Sequence, residues 1–429
     1  MAKKRDRQAV SIRRKSQNVS SDKLEIVGDS SSDRRLIVIF VVFFVISPAI
    51  SALLYYRYTN SGGFSGASVY ERGLVKTDIH HQEILAEHSN VAENTSRHYD
   101  YPVLAYITPW NSRGYDIAKR FNSKFTHLSP VWYDLKSQGS RLVLEGRHNA
   151  DQGWISELRL AGDALVLPRV VVEALPTDLL RKKKLQDKAI DLIVSECKEM
   201  GYDGVVLESW SRWAAYGILN DPDLRNSALQ FIKQLGNALH SELDSWRSSK
   251  QPLQLVYVIG PPHSEKLENQ DFGPEDMQSL SGAVDGFSLM TYDYSSPHSP
   301  GPNAPMNWIR SALRLVLGTK DNSLLPLEAG KIFLGINFYG YDYRLSGGGG
   351  AITGNDYQSV LRKYKPLVQW EEISAEHFIL YTDNNQNKHA VFYPSLKSIS
   401  TRLEAARSLG TGISIWEIGQ GLDYFFDLL

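Results

Sequence analysis

The stretch YDGVVLESW, Tyr202 to Trp210, decides the reading of the fold. Its centre, Gly204 to Glu208, is a short β-branched and apolar run introduced by a glycine, the composition of a buried strand. Before it lies Asp187 to Met200, an amphipathic run long enough for a helix. Outward from this pair the same alternation recurs. Strand-like runs occupy Val103–Thr108, Phe125–Val131, Leu165–Val171, Leu253–Ile259, Gly286–Met290, Ile332–Phe338 and Gly412–Trp416, and further helical runs include Asn226–Ser245, Trp308–Leu317 and Leu396–Leu409. Eight strands alternating with helices over ~330 residues predict an α/β chain, a (β/α)8 TIM barrel spanning 101–429, with an open doubly wound sheet as the alternative. The interval between the last two strand runs is too long for one helix. It holds SGGGGAITG and the apolar runs Val368–Ile373, Phe378–Thr382 and Ala390–Tyr393, which predict a small antiparallel insertion between strands 7 and 8, about 343–394.

The 429 residues carry 47 Lys and Arg against 48 Asp and Glu. A net charge of -1 argues against a nucleic-acid partner, because such proteins need a basic surplus to displace counterions. The single cysteine, Cys197, excludes an internal disulfide, a zinc ribbon and a CxxC redox pair. The charge balance conceals an asymmetry. Residues 1–35 hold ten basic and five acidic residues, a net +5, in a Ser-rich stretch without apolar periodicity, which predicts a disordered basic tail.

Leu36 to Tyr56, LIVIFVVFFVISPAISALLYY, contains no charge. At 1.5 Å per residue such a helix reaches roughly 32 Å, the thickness of a bilayer's hydrocarbon core. The span is longer, and lies further from the N-terminus, than the apolar region of a cleaved signal peptide. Basic residues cluster before it, so the expectation is a type II signal anchor at 36–56, with a cytosolic tail and everything after it in the endomembrane lumen or outside the cell. Residues 57–100 open with NSGGFSGAS and predict a flexible linker with room for a short helix at Leu74–His88. Within it Asn94-Thr95-Ser96 is a glycosylation sequon on the expected lumenal side.

In a barrel, chemistry sits at the C-terminal ends of the strands. Those ends read YITPW (Tyr106–Trp110), SPVWYD (Ser129–Asp134), PRVVVEA (Pro168–Ala174), YDGVVLESW, VIGPPH (Val258–His263), LMTYDY (Leu289–Tyr294), INFYGYDY (Ile336–Tyr343) and SIWEIGQG (Ser414–Gly421). Almost every one supplies an aromatic ring beside a carboxylate, amide or hydroxyl. A single aromatic is more often packing than ligand contact. Gathered at one end of a barrel, these suit an oligosaccharide, whose apolar C–H faces are edged by hydroxyls.

These motifs, together with TPWNSRGYD (Thr108–Asp116), DGFSLMTYDYSSPHSPGPNAP (Asp285–Pro305) and GISIWEIGQGLDYFFDLL (Gly412–Leu429), resemble glycoside hydrolase family 18, the chitinase family. The likeness is strongest to its stabilin-interacting, chitinase-like subgroup. It implies a barrel that binds chitin-like or N-acetylated oligosaccharides, without a cofactor or metal. His263 and His298 lie on strand-end loops but lack the neighbouring acids of a metal site. The resemblance also implies that Trp416 floors the innermost sugar position, that Tyr292 and Asp293 contact the acetamido group, and that Tyr106, Asn337 and Tyr339 line the groove.

The family's catalytic motif is D-G-x-D-x-D-x-E, whose final Glu is the general acid and whose preceding Asp orients the substrate's N-acetyl group. Aligned on Asp203-Gly204, this chain has Val206, Glu208 and Trp210 where the family has Asp, Asp and Glu. Period-two alternation would aim all three into the barrel. Glu208 then lies roughly 6.6 Å deeper than the missing acid at ~3.3 Å per residue, whereas proton donation needs contact at about 3 Å. Trp210 has only an indole N–H and a stacking face, and becomes an expected sugar platform. Glu208 is expected to hydrogen-bond Tyr292 or Asp293. Glu208 and Glu173 are weak candidates for a displaced acid; Glu417, next to Trp416, should point away from the barrel interior. The favoured expectation is a membrane-anchored carbohydrate-binding protein without chitinase activity. The alternatives are a glycosidase with a displaced acid acting on another glycan, and a scaffold for a protein partner.

Overall fold

The computed structural model describes residues 66–92, 96–242, 251–318 and 327–429. The predicted tail 1–35, the apolar span 36–56 and the sequon asparagine Asn94 lie outside these residues. Among the described residues no helix is long and apolar enough to cross a membrane.

Fifteen strands are formed by the described residues. They are β1 (Val103–Ile107), β2 (His127–Gln138), β3 (Arg141–Glu145), β4 (Leu165–Val166), β5 (Arg169–Val172), β6 (Gly204–Glu208), β7 (Gln254–Ile259), β8 (Gly286–Leu289), β9 (Ile332–Asn337), β10 (Gly340–Arg344), β11 (Gly349–Ile352), β12 (Val368–Glu371), β13 (Glu376–Thr382), β14 (Lys388–Phe392) and β15 (Gly412–Trp416). Parallel pairing runs β1-β15-β9-β8-β7-β6-β5-β2, and β2 pairs back onto β1. That last pairing closes the sheet into an eight-stranded barrel and excludes the open doubly wound alternative. All eight predicted strand runs are present. The third is divided at Leu167-Pro168 into β4 and β5, because proline has no N–H for the ladder.

Period two sorts the strand side chains between two cores. On β1, Val103, Ala105 and Ile107 face the helices, while Leu104 and Tyr106 join the barrel interior with Val206, Val256, Val258 and Phe333. Fully burying one such aliphatic side chain contributes roughly 1.5–3 kcal/mol, so a one-residue slip would be heavily penalised on every strand at once. Helices return the chain between strands with recognisable end signals. Asp221 accepts from the N–H groups of Asp223 and Leu224 and, with Pro222 in the first turn, starts the helix Pro222–His240. The helix Lys183–Met200 ends on Gly201, whose φ of 69° is left-handed and costs glycine nothing, delivering the chain straight into β6.

The insertion is a five-stranded antiparallel sheet of order β11-β10-β14-β13-β12 with a helix, Gly354–Tyr364, lying between β11 and β12 in sequence. Its last three strands follow the predicted runs; β10, β11 and the helix were not anticipated, since the glycines at 347–350 dilute any alternation there.

The linker reading of 57–100 is corrected where the structure describes it. Val69, Leu74, Ile79, Ile84 and Tyr99 are buried in the main core, and a seven-residue helix forms at His81–Glu87. Arg72 bridges Glu87 and Asp427, and Asp427 also accepts from the N–H of Ala92. The apolar residues of this stretch are too widely spaced among polar ones to show a helix or strand period, yet each finds the core.

Candidate functional site

The barrel mouth is built from the ends of β1, β5, β6, β8, β9 and β15. Val206 and Glu208 both face the interior, as alternation requires, and Glu208 at the end of β6 forms an ion pair with Arg169 at the start of β5. The expected bond from Glu208 to Tyr292 or Asp293 is therefore replaced by a salt bridge across adjacent strands. Arg169 is almost wholly buried. Its guanidinium lies 4.8 Å from the ring centroid of Trp416 and 5.6 Å from that of Tyr106, and burial pulls its pKa down. Arg169 was not among the expected site residues. Its signal was available: a lone cation inside the apolar run LVLPRVVV, in phase with the barrel interior.

Trp416 is half-buried, with Tyr106 packed 5.2 Å away. Tyr106 is 2% exposed and donates its hydroxyl proton to Ser288 at 2.8 Å, so it supports the floor from beneath instead of lining the groove. Burial raises its pKa and keeps it a neutral donor.

Trp210 departs furthest from expectation. The strand stops at Glu208; Ser209 takes a φ of -153° and ψ of -32°, and Trp210 opens the short helix Trp210–Ala215. Period-two alternation ends there. The indole is 2% exposed, packs edge-on against Phe272 at 5.1 Å and beneath Arg225 at 4.9 Å, and donates its N–H to the carbonyl of Gln270 at 3.0 Å. Trp210, aligned by sequence with the family's general acid, is thus nearly fully buried: it backs the wall of a cavity beside the barrel mouth but offers no open ring face as a sugar platform.

Tyr292 and Asp293 follow β8. Asp293 accepts from the hydroxyl of Tyr339 and, at 3.0 Å, from that of Tyr341. Its φ of 62° is left-handed, which an aspartate tolerates better than most residues, and its N–H donates to Asn303 Oδ1 at 2.8 Å. Asn303 and Ala304 donate their backbone N–H groups to Glu376 of β13, which pairs at 3.1 Å with the buried Arg402. The insertion therefore fixes the loop that aims Asp293. Burial, with Asp293 beside it, drives the Tyr339 hydroxyl far above its ordinary value, and Tyr341 is pushed up to about 12 for the same reasons. Both remain proton donors to the carboxylate. Asn337 is buried and donates to the carbonyl of Tyr339 at 2.8 Å, holding the turn between β9 and β10.

Of the other carboxylates, Glu173 is tied to Lys136 at 3.6 Å and Arg212 at 4.0 Å. Glu417 follows a cis peptide from Trp416 and is completely buried. It accepts from Asn111 Nδ2 at 2.6 Å and from the N–H of Gly419, behind β1 rather than in the barrel mouth, and burial raises its pKa to about 7. His263 is bound to Asp271 at 2.7 Å, and His298 is exposed. Among the described residues no group of three His, Cys, Asp or Glu is placed to hold a metal ion.

Beside the mouth a cavity of about 540 Å3 runs between the ends of β6, β7 and β8. Tyr292, Asp293, Tyr294 and Trp308 line one wall, Pro261 and His263 another, and the buried Trp210 backs it. Tyr294 is 56% exposed and packs at 5.2 Å against Trp308, an aromatic pair open to solvent.

Two bacterial relatives share part of this sequence. The chain is 24% identical over 257 residues to an uncharacterised glycosylase, YvbX, of Bacillus subtilis (strain 168), covering 59% of this chain and 67% of that protein. It is 23% identical over 250 residues to the cortical fragment-lytic enzyme of the same organism, covering 56% of this chain and only 52% of the enzyme, so it spans about half of that relative's length. Among solved structures the fold is similar to a chitinase from Chromobacterium violaceum ATCC 12472, with a TM-score of 0.63 and 21% identity over 76% of this chain and 97% of that one. It is also similar to the class V chitinase of Nicotiana tobaccum in complex with NAG4, with a TM-score of 0.58 and 16% identity over 76% and 97% of the two chains. Residues 177–421, more than half of the sequence and including β6, β8 and β15, match the family described as glycosyl hydrolases family 18, and the chain belongs to that family.

Proposed function

We propose that this protein is a membrane-anchored, chitinase-like carbohydrate-binding protein that recognises N-acetylglucosamine-type oligosaccharides without hydrolysing them. The observation that carries the reading is the pair of changes on β6: Trp210 stands at the general-acid position and is buried in a helix, and Glu208 is committed to Arg169. Hydrolysis by a family member needs a proton donor within reach of the glycosidic oxygen, and neither residue supplies one. What supports binding is the polar and aromatic wall of Asp293, Tyr294 and Trp308, which combines a carboxylate with ring faces in a cavity of about 540 Å3. A class V chitinase of the same fold holds NAG4. The anchor at 36–56, the basic tail before it and the likeness to the stabilin-interacting, chitinase-like subgroup support a type II protein with its barrel in the endomembrane lumen or outside the cell, and Asn94 as a glycosylation site.

The test uses the full chain in detergent with a labelled panel of N-acetylglucosamine oligomers. The expected result is binding that Tyr294→Ala weakens by about tenfold, the loss of roughly 1.4 kcal/mol, with no product released. Product release abolished by Glu173→Ala would instead establish a glycosidase with a displaced acid. Absence of glycan binding would overturn the carbohydrate reading and leave a protein-binding scaffold.

A further inference from the structure

We propose that Arg169 closes the innermost sugar position of the barrel, confining ligands to the outer groove beside Tyr294 and Trp308. This rests on the carbohydrate-binding reading above and specifies how that site selects its ligand. The first support is placement. Val170 and Val172 of β5 point to the outer core, so Arg169 points inward, and its guanidinium stands 4.8 Å from the centroid of Trp416. A pyranose laid on that face of Trp416 needs carbon contacts at roughly 3.5–4.0 Å, and the guanidinium, standing over the ring, takes that space.

The second support is anchoring. A buried cation is costly unless paired. Glu208, opposite Val171 on the neighbouring strand, supplies the counter-charge, and the side chains of the pair are only 11% and 19% exposed. This accounts for a carboxylate at position 208 in a site without its catalytic acid: it holds Arg169 in place. The planar guanidinium also gains from the aromatic faces of Tyr106 and Trp416, a contact that an ammonium group makes less well. The third support is the backing. Tyr106 is held by Ser288 at 2.8 Å, and Ser288 donates to Ser414 at 3.1 Å, so the floor beneath the plug is braced across β1, β8 and β15. The ligand class that follows is an oligosaccharide gripped by its end or edge, rather than one threaded through the barrel mouth with a pyranose on Trp416.

The plug is tested in the full chain by calorimetric titration with the N-acetylglucosamine tetramer. Because R169A alone strips Glu208 of its counter-ion, R169A/E208Q is titrated beside it, with thermal unfolding to confirm that each variant is folded. The expected result is affinity about tenfold above the native chain, a gain that disappears when W416A is added. A folded R169A/E208Q variant with no gain, or a gain that survives W416A, overturns the proposal. The two readings fail separately. A native chain that binds nothing while R169A/E208Q binds through Trp416 keeps the plug and removes the native carbohydrate function. A native chain that binds, with no gain on removing Arg169, keeps the function and removes the plug. If neither binds, both are overturned.

Discussion

Glu417 shows how alternation separates neighbours in sequence. It stands next to Trp416 but, as period two predicts, points away from the barrel interior and faces Asn111 and Gly419 behind the barrel wall, where burial lifts its pKa to about 7. Its consequence is for stability rather than sugar chemistry. The folded state keeps the proton up to about pH 7, whereas the unfolded chain releases it near the ordinary value of 4.5. The unfolded state therefore binds fewer protons in that window, and stability falls as pH rises through it, by roughly 3 kcal/mol in all, before levelling off. Urea denaturation between pH 4.5 and 8 is expected to show this decline, and Glu417→Gln to flatten it. An unchanged slope in the variant would assign the pH dependence to other groups. Trp210 shows where alternation stops: one non-extended residue, Ser209, ends the strand and turns the indole from the barrel interior into packing against Phe272 behind the cavity wall.

At the scale of elements, the antiparallel insertion is more than an appendage to the barrel. Arg402, on the helix Leu396–Ser408, donates to the carbonyls of Ala375, Ser398 and Ala304 and pairs with Glu376, which in turn holds the loop after β8. Removing one partner of such a buried pair typically costs about 3–5 kcal/mol, because the other charge is left without compensation. Arg402→Met is expected to lower stability by that amount, and Glu376→Gln/Arg402→Met to recover part of it. Both are also expected to weaken glycan binding, since Asn303 would no longer be fixed against Asp293. Chemical denaturation measures the first effect and titration with oligosaccharide the second. The presence of this insertion was legible as a gap too long for one helix, and three of its strands from their alternation. The contact between Glu376 and Asn303 was not, because 73 residues separate them and nothing local marks the partner.

At the scale of the whole molecule, the segment before the first barrel strand is part of the folded unit. Val69, Leu74, Ile79 and Ile84 each bury their side chains against it, and Arg72 reaches the final turn at Asp427. Losing four buried apolar side chains at roughly 1.5–3 kcal/mol each would consume most of a typical domain's stability. A chain beginning at Gly66 is therefore expected to unfold cooperatively and remain soluble, whereas one beginning at Tyr101 is expected to melt at least 10 °C lower or to aggregate. Equal melting temperatures for the two would show that the segment contributes nothing to the core.

By itself the sequence determined eight strands alternating with helices, because period-two alternation and helix-length amphipathic runs are local properties of the chain, and its motifs carried the resemblance to the family; that the sheet closes into a barrel instead of staying open was decided by the pairing of β2 with β1. It also determined that a tryptophan, Trp210, stands where the family motif has its final Glu, since that is a question of residue type at one position. Only the tertiary structure decided where the β6 side chains go. Whether Trp210 faces sugar or core depends on where β6 ends, and whether Glu208 is available depends on Arg169, which lies 39 residues earlier in sequence and one strand away in the barrel. Such pairings are set by the closure of the sheet, which brings β5, β6 and β15 to one mouth, and closure is a property of all eight strands together.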